Sequence, residues 1–238
     1  MSVSTVLFEY PPLVAGILRR RYKRFFAEVE LADGQLVTAH CPNTGPMRVI
    51  STPGSRVYLS RATAVARKLA YTWEMIDVEG VWVGVNTAMP NRIVYEGLRR
   101  CLFSELGDYT AIRREVPYGS ENSRVDFLLD GSAPLYLEIK STTLHRGRLA
   151  LFPDTVTTRG QKHLRELTRL CEQGSRAAIL YFINRSDCTA FSPCDEFDPL
   201  YGELLRIGIE RGLQVLPYRF EITPETVRFL GLASIVLA

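Results

Sequence analysis

Lysine is scarce in this chain. Of its 29 basic residues only Lys23, Lys68, Lys140 and Lys162 are lysine; the rest are arginine. Long hydrophobic runs are also missing: the longest, Ala177-Ala-Ile-Leu-Tyr-Phe-Ile183, falls far short of the roughly 20 residues that a membrane-spanning helix needs. The segment from Met1 to Glu9 has neither a basic stretch nor a long apolar core, so no signal peptide is expected. The five cysteines (Cys41, Cys101, Cys171, Cys188, Cys194) are a scattered, odd set without a C-x-x-C pair. That argues against a disulfide framework and against a zinc site, and predicts reduced thiols in a cytoplasmic protein. The chain contains neither an internal repeat nor a low-complexity tract.

What is present reads as a soluble globular protein. With 46% hydrophobic and 23% charged residues over 238 positions, it holds one large domain or two small ones with ample core. Residues 1–85 carry 10 basic and 7 acidic side chains, whereas residues 86–238 carry 19 of each. The surplus gathers in Arg19-Arg20-Arg21-Tyr22-Lys23-Arg24-Phe25-Phe26, where cations and aromatic rings interleave. Such a stretch suits a nucleic-acid strand, with cations on phosphates and rings on bases. A solvated strand edge with two core phenylalanines accounts for the same pattern. Five or six short strands are predicted in the first 85 residues, at 13–20, 23–31, 35–40, 56–60, 72–78 and 81–85. Turn signals such as Asp33-Gly34 separate them, and the set suggests a small barrel of OB type.

Asn86-Thr-Ala-Met-Pro90-Asn91 is a polar turn segment and the expected boundary, dividing the chain into 1–85 and 86–238. Beyond it the pattern predicts a helix over 91–106, three strands (111–118, 124–129, 134–141), a helix over 156–172 and a buried strand over 176–183. A helix over 199–212 and a strand over 213–221 follow. This order is that of a restriction-endonuclease-like core, making the whole an α/β (α+β) chain with an N-terminal OB-like barrel.

The most informative residues lie in that second half. Ser123-Arg-Val-Asp126-Phe-Leu-Leu and Leu135-Tyr-Leu-Glu138-Ile-Lys140-Ser141 read as two strands of a hairpin turning at Asp130-Gly131. Alternation puts Glu138 and Lys140 on one face and Ile139 on the other, and the hairpin brings Asp126 opposite the Leu137/Glu138 region. Unpaired buried carboxylates are costly, and a divalent cation is the usual compensation. Asp, then Glu-x-Lys on adjacent strands, is the PD-(D/E)XK pattern of a metal-dependent phosphodiesterase. A half-exposed Glu138–Lys140 ion pair on an edge strand is the structural alternative. Against it, arginine cannot replace a compact, pKa-adjustable ammonium, and lysine is the rare choice here. A two-residue loop at Ser120-Glu121 would pair Glu115 with Asp126 as a further carboxylate, with Glu105 a weaker candidate. At the start of the 156–172 helix, Arg159, Gln161, Lys162 and His163 are positioned to hold a phosphate. Lys162 is the site candidate there, while His163 by itself is more often structural.

The chain resembles the sugar fermentation stimulation protein A family of prokaryotes. The resemblance rests on Cys41-Pro-Asn-Thr-Gly-Pro-Met47, Thr52-Pro-Gly54, Arg67-Lys-Leu-Ala-Tyr-Thr-Trp-Glu74 and Val85-Asn-Thr-Ala-Met-Pro-Asn91. It continues through Glu115-Val-Pro-Tyr-Gly119, Ser123-Arg-Val-Asp-Phe127, Glu138-Ile-Lys-Ser141, Phe152-Pro-Asp154 and Arg159-Gly-Gln-Lys-His-Leu164. It implies an OB-like domain, a restriction-endonuclease-like domain, DNA binding with little sequence preference and a regulatory link to sugar, especially maltose, utilisation. Ile139 stands where the family usually has valine. Two readings follow: a nuclease in which Asp126, Glu138 and the Ile139 carbonyl hold Mg²⁺ (or Mn²⁺) and Lys140 assists, or a non-catalytic DNA-binding regulator on the same fold. Under either, Arg19, Arg20, Arg21, Lys23 and Arg24 are the expected DNA contacts, and no membrane is involved.

Overall fold

The computed structural model describes residues 5–62, 68–119 and 123–237; the expected loop at Ser120-Glu121 lies outside them. In chain order the elements are β1 (Thr5–Glu9), β2 (Val14–Tyr22), β3 (Phe26–Leu31), β4 (Leu36–His40), β5 (Arg56–Arg61), β6 (Tyr71–Val78), β7 (Val81–Gly84) and α1 (Met89–Arg99). There follow β8 (Ala111–Tyr118), β9 (Ser123–Asp130), β10 (Leu135–Thr142), β11 (Leu144–Arg146), β12 (Leu149–Phe152), α2 (Thr158–Glu172) and β13 (Arg176–Ile183). Last come β14 (Ala190–Pro193), α3 (Pro199–Glu210), β15 (Gln214–Ile222), β16 (Thr226–Leu232) and β17 (Ser234–Ile235).

The N-terminal strands run in the order β4-β3-β2-β5-β6-β7, and β4 also pairs with β6. That extra pairing, Ala39 to Tyr71 and His40 to Thr72 in parallel, closes five strands into a barrel and leaves β7 as the outer arm of the β6–β7 hairpin. Closure removes the free edges that a small open sheet would expose. The interior follows from alternation: Ala27, Val29 and Leu31 of β3 point inward, as do Val57 and Leu59 of β5, against Trp73.

The C-terminal sheet has seven strands in the order β1-β16-β15-β13-β10-β9-β8. Its centre, β10-β13-β15, is parallel, and parallel strands need coverage on both faces. α1 packs Ile93, Val94 and Leu98 against Leu137, Leu180 and Phe182 on one face. α2 and α3 pack Leu164, Leu167 and Leu205 against Ile179 and Tyr181 on the other. Phe182 and Phe220 stack with centroids 3.7 Å apart, both fully buried. Phe220→Ala is therefore expected to destabilise the protein by about 3–5 kcal/mol, read as a lower urea midpoint with an unchanged slope.

Three expectations are corrected here. Residues 5–9, expected within the 1–85 domain, do not join the barrel: they form β1, which crosses to the C-terminal sheet and pairs antiparallel with β16, Thr5 opposite Phe229. The helix expected over 91–106 ends at Arg99, because Cys101 adopts φ 51°, and Ser104–Leu106 forms a separate 3-10 turn. The strand expected from Lys23 begins at Phe26, since Lys23 and Arg24 are both left-handed, φ 48° and 62°.

Candidate active site

The site lies where β9 and β10 part. Their ladder runs through Leu135–Leu129, Tyr136–Leu128 and Leu137–Phe127 and then stops; the next rung would set Glu138 against Asp126. Instead the Ile139 N–H donates to Asp126 Oδ2 at 2.7 Å, so a side chain stands in for a backbone carbonyl. Asn91 Nδ2, from the first turn of α1, donates to the other oxygen at 2.7 Å. The strand also turns over at this point: Val125 packs on the α2 side of the sheet, Phe127 and Leu129 on the α1 side. The opened strands frame a cleft of about 250 Å³ whose walls include Asn91, Asp126, Glu138, Lys140, Ser141 and Arg159.

Glu138 and Lys140 face α2, their side chains only 5% and 11% exposed, with Lys140 Nζ 2.7 Å from Glu138 Oε1. His163 Nδ1 lies 2.5 Å from the same oxygen and 3.3 Å from Lys140 Nζ. α2 is held in place by Asp198, which accepts from Thr157 N–H at 2.8 Å and Gln161 Nε2 at 2.9 Å. Its N-cap Thr157 accepts from Gly160 N–H. Arg159 and His163 are one turn apart on that helix and so share a face.

Electrostatically the two carboxylates differ. Burial, and then the neighbouring Glu138, push the Asp126 carboxyl up to about 6. Burial pushes Glu138 up as well, but Lys140 and His163 outweigh it and hold that carboxyl below its ordinary range. Two donors thus converge on Glu138 Oε1, while Oε2 is buried without a hydrogen-bond partner. An orphaned, ionised oxygen beside a second buried carboxylate is what a hard cation would satisfy. Among the described residues no three His, Cys, Asp or Glu side chains converge as a complete metal cage. The donor set is two carboxylates with room for water, which suits Mg²⁺ or Mn²⁺ and not a structural zinc. The N–H and C=O of one strand residue point to the same edge, so the Ile139 carbonyl lies on the Asp126 side.

Other expected residues lie elsewhere. The β8–β9 register sets Pro117 against Arg124 as expected, and Glu115 falls across from Asp126 between the Arg114–Phe127 and Val116–Val125 rungs, but Glu115 is exposed with φ 51°. Glu105 accepts a hydrogen bond from the Tyr218 hydroxyl, outside the cleft. Lys162 is partly buried and does not line the cleft, whose α2 wall is Arg159. Arg19 and Arg20 form cross-strand ion pairs with Glu30 and Glu28, at 2.6 and 3.0 Å. Arg21 Nη2 donates to the carbonyls of Arg24, Asn43 and Gly45. Lys23 and Arg24 are exposed at the β2–β3 turn. Asn91 and His163, the two residues that hold the carboxylates in place, carry little signal in the sequence.

Barrel, mixed sheet and recessed Asp/Glu/Lys cluster together define a two-domain protein, an OB domain joined to a restriction-endonuclease-like domain. Two family models match it: the SfsA N-terminal OB domain over residues 20–85 and the sugar fermentation stimulation protein RE domain over residues 88–226. The chain belongs to the sugar fermentation stimulation protein (SfsA) family. A sugar fermentation stimulation protein homolog of Gloeobacter violaceus is 78% identical over 98% of this chain and 100% of its own length. One from a Cyanothece species is 61% identical over 97% and 98%. Among solved structures, Pyrococcus furiosus SfsA in complex with Ca²⁺ superposes with a TM-score of 0.89 at 27% identity, covering 98% of this chain and 99% of that one.

Proposed function

We propose that the cleft is a metal-dependent phosphodiesterase site acting on DNA. The observation that carries this reading is the pairing of the orphaned, buried Glu138 Oε2 with Asp126, whose protonation burial favours, beside a recessed lysine. Asp126, Glu138 and the Ile139 carbonyl would hold Mg²⁺ or Mn²⁺, which when bound polarises a phosphodiester and acidifies a water. The Pyrococcus furiosus relative is in complex with Ca²⁺, an oxygen-seeking cation of the same hard class, and this supports a divalent site here.

The chain's own groups have separable tasks. Asn91 and the Ile139 N–H fix both oxygens of Asp126. His163 and Lys140 keep Glu138 ionised. Lys140 Nζ stays within the cleft to orient a nucleophile or to offset charge that builds on the phosphate oxygens. Arg159, exposed on the cleft wall, is placed to take a phosphate in bidentate fashion. The test is incubation of end-labelled single-stranded, duplex and branched DNA with the protein and Mg²⁺, Mn²⁺ or Ca²⁺. Cleavage with Mg²⁺ or Mn²⁺ that disappears in EDTA is expected. DNA left intact with every metal would leave a non-catalytic DNA-binding protein.

A further inference from the structure

The β2–β3 turn is built at a cost. Lys23 and Arg24 are consecutive non-glycine residues with φ 48° and 62°, a conformation for which glycine or asparagine is the inexpensive choice. Left-handed backbone costs an ordinary residue roughly 1–2 kcal/mol, and such strain persists mainly where the side chains are needed. What the turn displays is cationic and aromatic. Lys23 and Arg24 are exposed and Phe25 is 49% exposed. Beside them Tyr22 and Phe26 stack at 5.4 Å with planes 24° apart, and the Arg20 guanidinium lies 5.1 Å from the Tyr22 ring centre.

This platform is continuous with the carboxylate cleft. Phe25 C=O accepts from Cys41 N–H, and Arg21 ties Arg24 to Asn43 and Gly45. Asn43, Thr87, Ser141 and Asp154 are among the residues lining a small groove, and Thr87 and Ser141 also line the cleft that holds Asp126 and Glu138. Thr87 Oγ1 in turn donates to the Pro42 carbonyl. A path of neighbouring contacts therefore runs from the recessed carboxylates, through a groove lined by Asn43, Thr87, Ser141 and Asp154 together with Leu144, Leu151 and Phe152, to Arg21 and the barrel's aromatic turn.

We propose that this path is the track of a single DNA strand, with Phe25 and the Tyr22/Phe26 pair stacking bases and Lys23 and Arg24 holding phosphates outside the cleft. The inference rests on the nuclease reading and names its substrate class as single-stranded or splayed DNA. The depth of the site favours this occupant. With side chains only 5% and 11% exposed, Glu138 and Lys140 are recessed, and a flexible strand bends into such a cleft at less cost than a stiff duplex does. Exposed rings suit the same ligand, because unpaired bases offer faces that a duplex keeps stacked.

The test is binding in EDTA, which keeps it independent of cleavage: fluorescence anisotropy of a labelled thymidine 20-mer and of a 20-base-pair duplex at one salt concentration. The wild type is expected to bind the single strand at least about tenfold tighter. Phe25→Ala should weaken single-strand binding by about 5- to 150-fold, the size of one lost base stack, and Phe25→Trp should restore it. Duplex binding should change little in either. Thr87→Trp, an exposed position at the neck between groove and cleft, should also weaken single-strand binding. Equal affinity for the two DNAs, or a Phe25→Ala variant with wild-type single-strand affinity, would overturn the proposal. A weakened Phe25→Ala beside an unaffected Thr87→Trp would overturn the continuous track. If the nuclease reading alone is wrong, cleavage fails in all metals while this binding pattern persists.

Discussion

Lys140→Arg is expected to cut metal-dependent cleavage by about two orders of magnitude or more, the loss typical of removing one transition-state donor. The substitution keeps the charge but not the shape. Lys140 Nζ sits 2.7 Å from Glu138 Oε1 and 3.3 Å from His163 Nδ1, in a space that fits a compact ammonium. A planar guanidinium would have to displace His163, which is itself only 4% exposed, or turn away from the cleft. DNA affinity should be nearly unchanged, because the long-range charge is the same. Single-turnover cleavage and anisotropy on wild type and variant purified in parallel would measure both, and equal cleavage by the two preparations would remove Lys140 from the chemistry.

Asp126→Asn should reverse its effect on stability with the metal. In the metal-free protein Asp126 lies beside Glu138, and its carboxyl rises from 3.8 to about 6. The folded state therefore binds more protons than the unfolded state in that window. This group's contribution is least unfavourable below pH 3.8 and worsens as pH rises to about 6, with the full penalty above. Asparagine has no charge to bury, so the variant should be more stable than the metal-free wild type at pH 8, by about 1–3 kcal/mol. The gain should shrink as the pH falls through the window. Saturating Mn²⁺ should then raise the wild type by about 2.7 kcal/mol at one hundred times its dissociation constant and leave the variant unmoved. Thermal denaturation at pH 5 and 8, with and without Mn²⁺, reads all four corners. A variant stabilised by the metal as much as wild type would mean that Asp126 is not a ligand.

The parts of this protein that could be read from its sequence were those encoded by local pattern. Asp126, Glu138 and Lys140 stood out because charges interrupted strand runs, and alternation alone placed Glu138 and Lys140 on one face. The barrel strands and the helix-and-strand order followed from periodicity and turn residues. Pairing over long separations was not legible: nothing in Thr5–Glu9 says that its partner is Thr226–Leu232. Backbone inversions at Lys23, Arg24 and Glu115 occur at residues that give no glycine-like signal, so the register of Glu115 against Asp126 was legible but its exposed, left-handed backbone was not. His163 was within reach, since a helix that brings Arg159 to the cleft also turns His163 towards it one turn later and rotates Lys162 aside. The partners of Arg19 and Arg20 were also available, as Glu28 and Glu30 lie on the adjacent predicted strand. Asn91 carried no signal: a neutral amide at a helix start acquires its role only from the carboxylate that the fold brings to it.

The proposed metal centre is tested most directly by a crystal of the protein soaked in Mn²⁺ and measured at a wavelength where manganese scatters anomalously. One strong anomalous peak is expected in the cleft, within bonding distance of Asp126, Glu138 Oε2 and the Ile139 carbonyl, with water completing the shell. No peak there under saturating Mn²⁺, with Glu138 still engaged by Lys140 and His163, would contradict it.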